Sequence, residues 1–417
     1  MGRDRRGRAA PPHHAHRARA RHRRGPRRRG QAAGGPPELT RPTPVWRALR
    51  TPATPPQHPG RRLESMRFQV LSLIGHGPHP LTGRTPAPAD RFGDVLAQAE
   101  AAERLGLDAF AVGERHAGPF LCSAPVAVLG ALAARTTRIR LLTGVTVLSV
   151  LDPVRVAEDY ATLDQLSGGR IELVVGKGAD AAHFALFGLD EERQWDLQRE
   201  KYELLRRLWR EEHVDWTGEF RTPLKDVTTV PRPYAGPPRV WHGSATSPRS
   251  PELAALHGDP LFTANAIQPR AAYAALIDLY RERFEAHGHD PAGAYVGAGS
   301  GGLLIADTDA EAVARYKEVY EAQVRQSFKP ALAGRTGYNT PYRTIEEAMA
   351  DGPQLIGSPE RIIDKLLGYH AVYGHDLQSV TVDGFGLERA EQLAQLERFA
   401  EEIAPVVRRE APTTLWG

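Results

Sequence analysis

IRLLTGVTVLSVLDPVRVAEDYATLDQLSGGRIELVVGKG, residues 139–178, is the stretch that decides the fold. Residues 139–150 are rich in β-branched side chains and lie between a polar turn and Asp152-Pro153, which predicts a strand. Asp152 is suited to cap a helix and Pro153 to open it. Val154, Val156, Ala157, Tyr160, Ala161, Leu163 and Leu166 then recur at helical spacing until Gly168 and Gly169 end the helix. Residues 170–178, RIELVVGKG, form a second apolar run, as in a strand buried on both faces. A strand–helix–strand of this length is a βαβ unit, and ligands of such units sit beyond the carboxyl ends of the strands. Those ends are Thr143, Gly144 and Val145 on one strand and Gly176, Lys177 and Gly178 on the other. Two glycine-bearing exits, one with a lysine, suit a flat cofactor with an anionic tail. The same residues also fit a bulge at Gly144 and a solvated Lys177.

Outward from this unit the pattern repeats. Strands are expected to begin near residues 66, 108, 139, 170, 239, 259, 294 and 377, nearly all followed by helices. Eight repeats over roughly 350 residues predict an α/β fold, a closed (β/α)8 TIM barrel with insertions, in preference to an open doubly wound sheet. Residues 327–357 read as a largely irregular insertion, and residues 294–306 as one strand interrupted by glycines. In a barrel of this kind the active site lies at the carboxyl ends of the strands, where the unusual residues cluster. They are His76 and His79, Glu114, Arg115 and His116, Gly144 and Val145, Lys177, Ser244 and Asn265. Gly243, Ser244 and Ala245, running on to Ser247 and into a helix, make a candidate anion site from backbone N–H groups, hydroxyls and the helix dipole. Lys177 and Arg193 would add charge there, and a plain helix cap is the other reading of the loop.

Composition divides the chain in two. Residues 1–65 carry seventeen arginines, no lysine and three acids, a charge of +14, whereas the whole chain is +4, so residues 66–417 carry −10. The tail has too few apolar residues to offset the entropy of ordering and is expected to be disordered. Its arginine runs suit nucleic acid or an acidic surface, and a dispensable extension ahead of Met66 is the plainer reading. No apolar run has the length of a membrane span, and Cys122, the single cysteine, excludes an internal disulfide, so a cytoplasmic setting is expected. There is no serine nucleophile elbow, no His-Glu-x-x-His pair and no dinucleotide fingerprint. The spacing of His76, His79, Glu114 and His116 is not that of a metal site, and no metal is expected. Cys122 reads as a small buried residue.

The run ALAARTTRIRLLTGVTVLSVLDPVRVAEDYATLDQLSGGRIELVVGKG (residues 131–178), with DAFAVGERH (108–116) before it and GSPERIIDKL (357–366) after it, resembles the luciferase-like flavin-dependent monooxygenases. EEHVDWTGEFRTPL (211–224) and VPRPYAGPPRVWHGS (230–244) resemble the family's broad oxidoreductase branches more than luciferase itself. The resemblance implies a (β/α)8 barrel binding FMN, or in some branches a deazaflavin, at the strand exits. It implies a flavin ring packed against Gly144 and Val145, where the family often has a cis non-proline peptide. Phosphate contacts would come from Ser244 and its neighbours with Lys177 and Arg193. It further implies a small organic substrate and dioxygen, reduced FMN supplied by a separate flavin reductase, and commonly a homodimer.

One departure stands out. Luciferases carry Glu-His-His where this chain has Glu114-Arg115-His116, and an arginine cannot take up a proton near neutral pH. Any base would then be His116, His76 or His79, with Arg115 free to hold an anionic substrate or a flavin oxygen, or to pair with Glu114 or Asp108. A deazaflavin-dependent hydride-transfer enzyme and a non-catalytic flavin-storage protein are the rival expectations.

Overall fold

The computed structural model describes residues 64–116, 118–178, 180–266, 268–327 and 342–417. The expectations for the basic tail therefore lie outside the described residues, apart from its last two. Glu64–Ser65 form a short strand antiparallel to Pro412–Thr413.

Eight parallel strands form the barrel: β1 (Arg67–Ser72), β2 (Ala109–Val112), β3 (Arg140–Thr143), β4 (Ile171–Gly176), β5 (Arg239–Ser244), β6 (Leu261–Thr263), β7 (Val296–Ala298) and β8 (Leu377–Val380). They follow in order around the sheet, β8 pairs with β1, and β3 pairs with β4, so the ring is closed. This is the expected TIM barrel. Its strands are buried on both faces: β2 has the sequence AFAV and every residue is buried. Leu142, Val174, Trp241, Phe262 and Leu377 fill the interior from five strands. Helices follow the strands, among them α1 (Pro88–Arg104), α2 (Pro125–Ala133), α3 (Pro153–Ser167), α4 (Ala181–Leu186) and α5 (Gln194–Arg210), and α1, α2 and α3 pack outside the ring.

Local chemistry explains the boundaries. At α3 the Asp152 carboxylate accepts from the N–H groups of Val154 (2.8 Å) and Arg155 (3.4 Å), Pro153 opens the helix, and Gly168 ends it at φ 69°. Leu166, expected on the buried face, is 69% exposed; Asp164 and Ser167 are buried there instead. On α1, Gln98 is buried and donates to Gln392 Oε1 at 2.7 Å.

Three elements depart from the linear reading. The run 139–150 is not one strand. β3 stops at Thr143, the Gly144–Val145 peptide is cis, and Thr146–Val147 pairs with Val175 and Gly176 of β4. Val147 and Val150 stay apolar because they pack on Phe184 and Leu197. Residues 294–306 form two strands: β7 belongs to the barrel, and Leu303–Ile305 pairs with Leu355–Gly357 in a separate sheet. The supposed irregular insertion contains that second strand and a helix, Ile345–Ala350, with a Thr344/Glu347 capping box; its residues 328–341 lie outside the described residues. At the amino-terminal end of the barrel, the chain's last residues act as a plug. Leu415 is fully buried, and the Trp416 indole donates to Glu172 at 2.7 Å.

Candidate active site

The carboxyl ends of the strands open into a cavity of about 1410 Å³. Its floor is the segment after β3. Val145 sits between two glycines at neighbouring strand ends. A Cβ at Gly176 would lie 3.0 Å from Val145 Cγ2, and one at Gly243 would lie 2.9 Å from Val145 Cγ1. Both strand exits are glycine because this shelf crosses the barrel mouth; a side chain at either would displace it.

Glu114 also lines the cavity, beside the shelf, and its side chain is 1% exposed. Its carboxylate accepts from the Val147 N–H at 3.0 Å and from His116 Nε2–H at 2.8 Å. An ionised carboxylate only accepts, so His116 carries its proton on Nε2. The His116 backbone N–H donates in turn to Nε2 of the fully buried His183 at 3.2 Å. Burial holds the His183 imidazole below the usual histidine range, which keeps it neutral with its proton on Nδ1.

At the end of the cavity near β4 and β5 the lining is cationic. Lys177 lines it with Gly243, Ser244, Ala245, Thr246 and Ser247. The Ser244 hydroxyl donates to Ser247 O at 3.3 Å and curls the loop ahead of α6 (Arg249–His257). The N–H groups of Thr246 and Ser247 have no partner among the described residues. Trp195 lies between two cations, 5.7 Å from Lys177 Nζ and 5.7 Å from the Arg249 guanidinium. Burial lowers the Lys177 pKa, with Glu191 opposing.

The rest of the cavity lining is part apolar and part charged. Leu71, Leu73, Phe120, Phe262 and Phe385 belong to its apolar part. Arg91 is held by Asp383 (3.0 Å) and Asp94 (3.1 Å) and also donates to Gly75 O; the Ser72 hydroxyl donates to Asp383. His79 accepts at Nδ1 from the N–H groups of Leu81 (3.1 Å) and Thr82 (3.2 Å), so its proton is on Nε2.

Set against the residues expected from sequence, Gly144, Val145, Lys177, Gly178, Gly243, Ser244, Ala245 and Arg115 all line this one cavity. Arg115 stacks over Phe120 at 4.4 Å and pairs with Asp180 at 3.4 Å, not with Glu114 or Asp108. Asp108 is occupied by Arg67 and Arg408. Five expected residues do not line the cavity, among them Asn265, whose side chain donates to Gly299 O at 3.0 Å and accepts from the Tyr373 hydroxyl at 2.9 Å. Thr143 is spent inside the sheet, its hydroxyl donating to Val174 O. His76 is bound through Nε2 to Pro86 O at 2.8 Å, and His116 serves Glu114. Arg193 is turned away to Glu219 (2.6 and 2.9 Å) and Asp196 (3.1 Å). Cys122 is buried, and burial pushes its thiol up to about 12, so it is inert.

The profile of the luciferase-like monooxygenases matches residues 66–376. The chain belongs to this family. An uncharacterized protein of Sinorhizobium fredii is 34% identical over 174 residues, covering 41% of this chain and 50% of that protein. The oxygenase component of the flavin-dependent trigonelline monooxygenase of Acinetobacter baylyi is 26% identical over 333 residues, 75% of this chain and 89% of that protein. The chain thus spans half the length of the first of these relatives and most of the second. Among solved structures, a monooxygenase of Streptomyces bottropensis superposes with a TM-score of 0.71 at 26% identity, covering 82% of this chain and 99% of that one. Two more distant ones share the fold: the oxygenating constituent of 3,6-diketocamphane monooxygenase from Pseudomonas putida with FMN (TM-score 0.65, 19% identity, 82% and 98% covered), and a secondary alcohol dehydrogenase dependent on F420 (TM-score 0.62, 18% identity, 82% and 99% covered). Among the described residues of this luciferase-like chain, no helix is long and apolar enough to cross a membrane.

Several lining residues carried no readable signal. Arg91 and Asp383 are 292 positions apart, and only barrel closure joins them. Trp195 did leave one: a large aromatic in the first turn of α5 (Gln194–Arg210), a helix whose buried face is otherwise set by Leu197, Tyr202, Leu205 and Leu208.

Proposed function

We propose that this protein is the oxygenase component of a two-component system. It would bind reduced FMN made by a separate reductase and, with dioxygen, oxidise a small organic substrate. The observation that carries this reading is the pairing, in one cavity, of the glycine-seated Val145 shelf with a cationic, hydroxyl-rich pocket at Lys177 and Ser244. A planar ring and a phosphate fit those two places, so the residues present suit FMN.

Bound reduced FMN would supply the two electrons that activate dioxygen, with one oxygen atom passing to the substrate and the other leaving as water. The protein's own part is positional. Val145 bears the ring, while Ser244, Thr246, Ser247 and Lys177 hold the phosphate, with Trp195 closing that end. Leu71, Leu73, Phe120 and Phe262 exclude water from the reacting region. Arg115, oriented by Phe120 and Asp180, offers its guanidinium to an anionic group of the substrate or a flavin oxygen. Of the three histidines considered as proton carriers, only His79 lines the cavity, and it presents a proton at Nε2. Glu114, bonded to the Val147 N–H and to His116, acts with His116 to position the segment after the shelf. A homodimer and a cytoplasmic setting belong to the same proposal.

Equilibrium binding of oxidised FMN, reduced FMN and a reduced deazaflavin to the full chain, with Lys177→Ala and Ser244→Ala alongside, tests this. Preferential binding of reduced FMN, weakened about tenfold by each change, is expected from the loss of one charge-assisted hydrogen bond. Binding of the deazaflavin alone would overturn the monooxygenase reading in favour of hydride transfer. Tight binding of oxidised FMN without reductase-dependent oxygen consumption would favour storage.

A further inference from the structure

At the other end of the barrel lies a second pocket, of about 410 Å³. It is walled by the second half of α5 (Tyr202, Arg206, Arg210) and by the entries of β5 (Arg239) and β6 (Asp259). Three arginines line it against one acid among the described residues. Its one acid, Asp259, accepts from the Tyr202 hydroxyl and faces His242 Nε2 at 3.2 Å. Arg239 reaches Glu172 at 3.5 Å, but Glu172 also binds Arg140 at 3.1 Å and the indoles of Trp241 (2.8 Å) and Trp416 (2.7 Å).

Arg206 abuts His257 through Nη1, while its Nε is buried with no acceptor among the described residues. Arg210 is exposed and likewise has no acceptor there. A buried N–H without an acceptor is costly, and like charges drawn together repel. An oxyanion in the pocket would relieve both. The planar guanidinium fork suits phosphate and carboxylate alike, because each offers paired oxygens.

We infer that this pocket is a second ligand site, distinct from the strand-exit cavity, for a compact oxyanion with two or more acidic groups. Glu203 of α5 faces His257 at 3.8 Å, and no ion pair joins it to Arg206 or Arg210 among the described residues. The volume admits a diphosphate or a small tricarboxylate.

Isothermal titration of the full chain with pyrophosphate and with citrate, at low ionic strength, tests the inference. Saturable binding of at least one probe is expected, weakened about tenfold or more by Arg210→Ala and by Arg206→Gln. The same binding should persist in the Lys177→Ala/Ser244→Ala double variant. Arg210 is exposed, so its replacement leaves the fold intact. The preferred probe tells whether the natural ligand carries phosphates or carboxylates. The inference is overturned if neither probe binds saturably, or if both arginine changes leave binding untouched. Binding lost only in the Lys177/Ser244 variant would also overturn it, by placing the anion in the strand-exit cavity. Failure of FMN binding would leave this inference standing, since no residue is shared.

Discussion

Replacing Glu114 by alanine should be among the most damaging single changes near the site, because its side chain is only 1% exposed and bonds two donors. The carboxylate satisfies two buried donors, the Val147 N–H at 3.0 Å and His116 Nε2–H at 2.8 Å. A hydrogen bond to a charged acceptor contributes about 1.5–3 kcal/mol, and removing one partner leaves the other unsatisfied, so Glu114→Ala should cost about 3–5 kcal/mol. Glu114→Gln keeps a carbonyl for the Val147 N–H and sets an amide against His116, which can shift its proton to Nδ1. Its cost should be about 1–2 kcal/mol. Urea unfolding of the flavin-free protein, followed by tryptophan fluorescence and far-ultraviolet circular dichroism, measures both as shifts in midpoint. Because Val147 follows the Val145 shelf, any folded Glu114→Ala protein should also bind flavin more weakly than Glu114→Gln. The reasoning is refuted if Glu114→Ala stays within about 1 kcal/mol of wild type, or if glutamine is as harmful as alanine.

Gly243→Ala would set a Cβ 2.9 Å from Val145 Cγ1 and 3.3 Å from Val175 O. Overpacking of this kind costs about 1–3 kcal/mol, and adding Val145→Ala should restore part of it; full additivity of the two changes in a double-mutant cycle would show that they do not touch. His375 is fully enclosed, its Nε2–H donating to Gln378 Oε1 at 3.0 Å and its Nδ1 lacking a partner, and burial lowers its pKa to about 3. The unfolded chain therefore binds the extra proton between its ordinary value near 6.5 and about 3, so stability should fall as pH falls through that window. His375→Gln should flatten the dependence of the urea midpoint on pH; an unchanged slope counts against this assignment.

How far the chain could be read depended on the range of the interaction concerned. Strand β4, helix α3 and its caps at Asp152, Pro153 and Gly168 were legible because burial on both faces, capping and left-handed glycine act within a few residues. Repeating that pattern eight times implied a closed barrel, and a barrel places its strand exits together. That is why Gly144, Val145, Lys177 and Ser244 were legible as neighbours although they span a hundred positions.

The sequence by itself thus determined the repeat unit, the closed ring and the end of it where chemistry would gather. Only the tertiary structure decided which side chains at that end are available. His116 and His76 have the right chemistry, but neither lines the cavity and each has its Nε2 engaged, by Glu114 and by Pro86 O, while Arg193 is drawn off by Glu219. The splitting of residues 139–150 belongs to the same class, since Val147 and Val150 are apolar for a contact with Phe184 and Leu197 that no local periodicity encodes. So does the second pocket, whose lining draws Arg206 and Arg210 from α5 and Arg239 from β5. A hydrogen bond or ion pair is decided by whichever partner the fold brings within about 3 Å, and that competition is settled in space rather than along the chain.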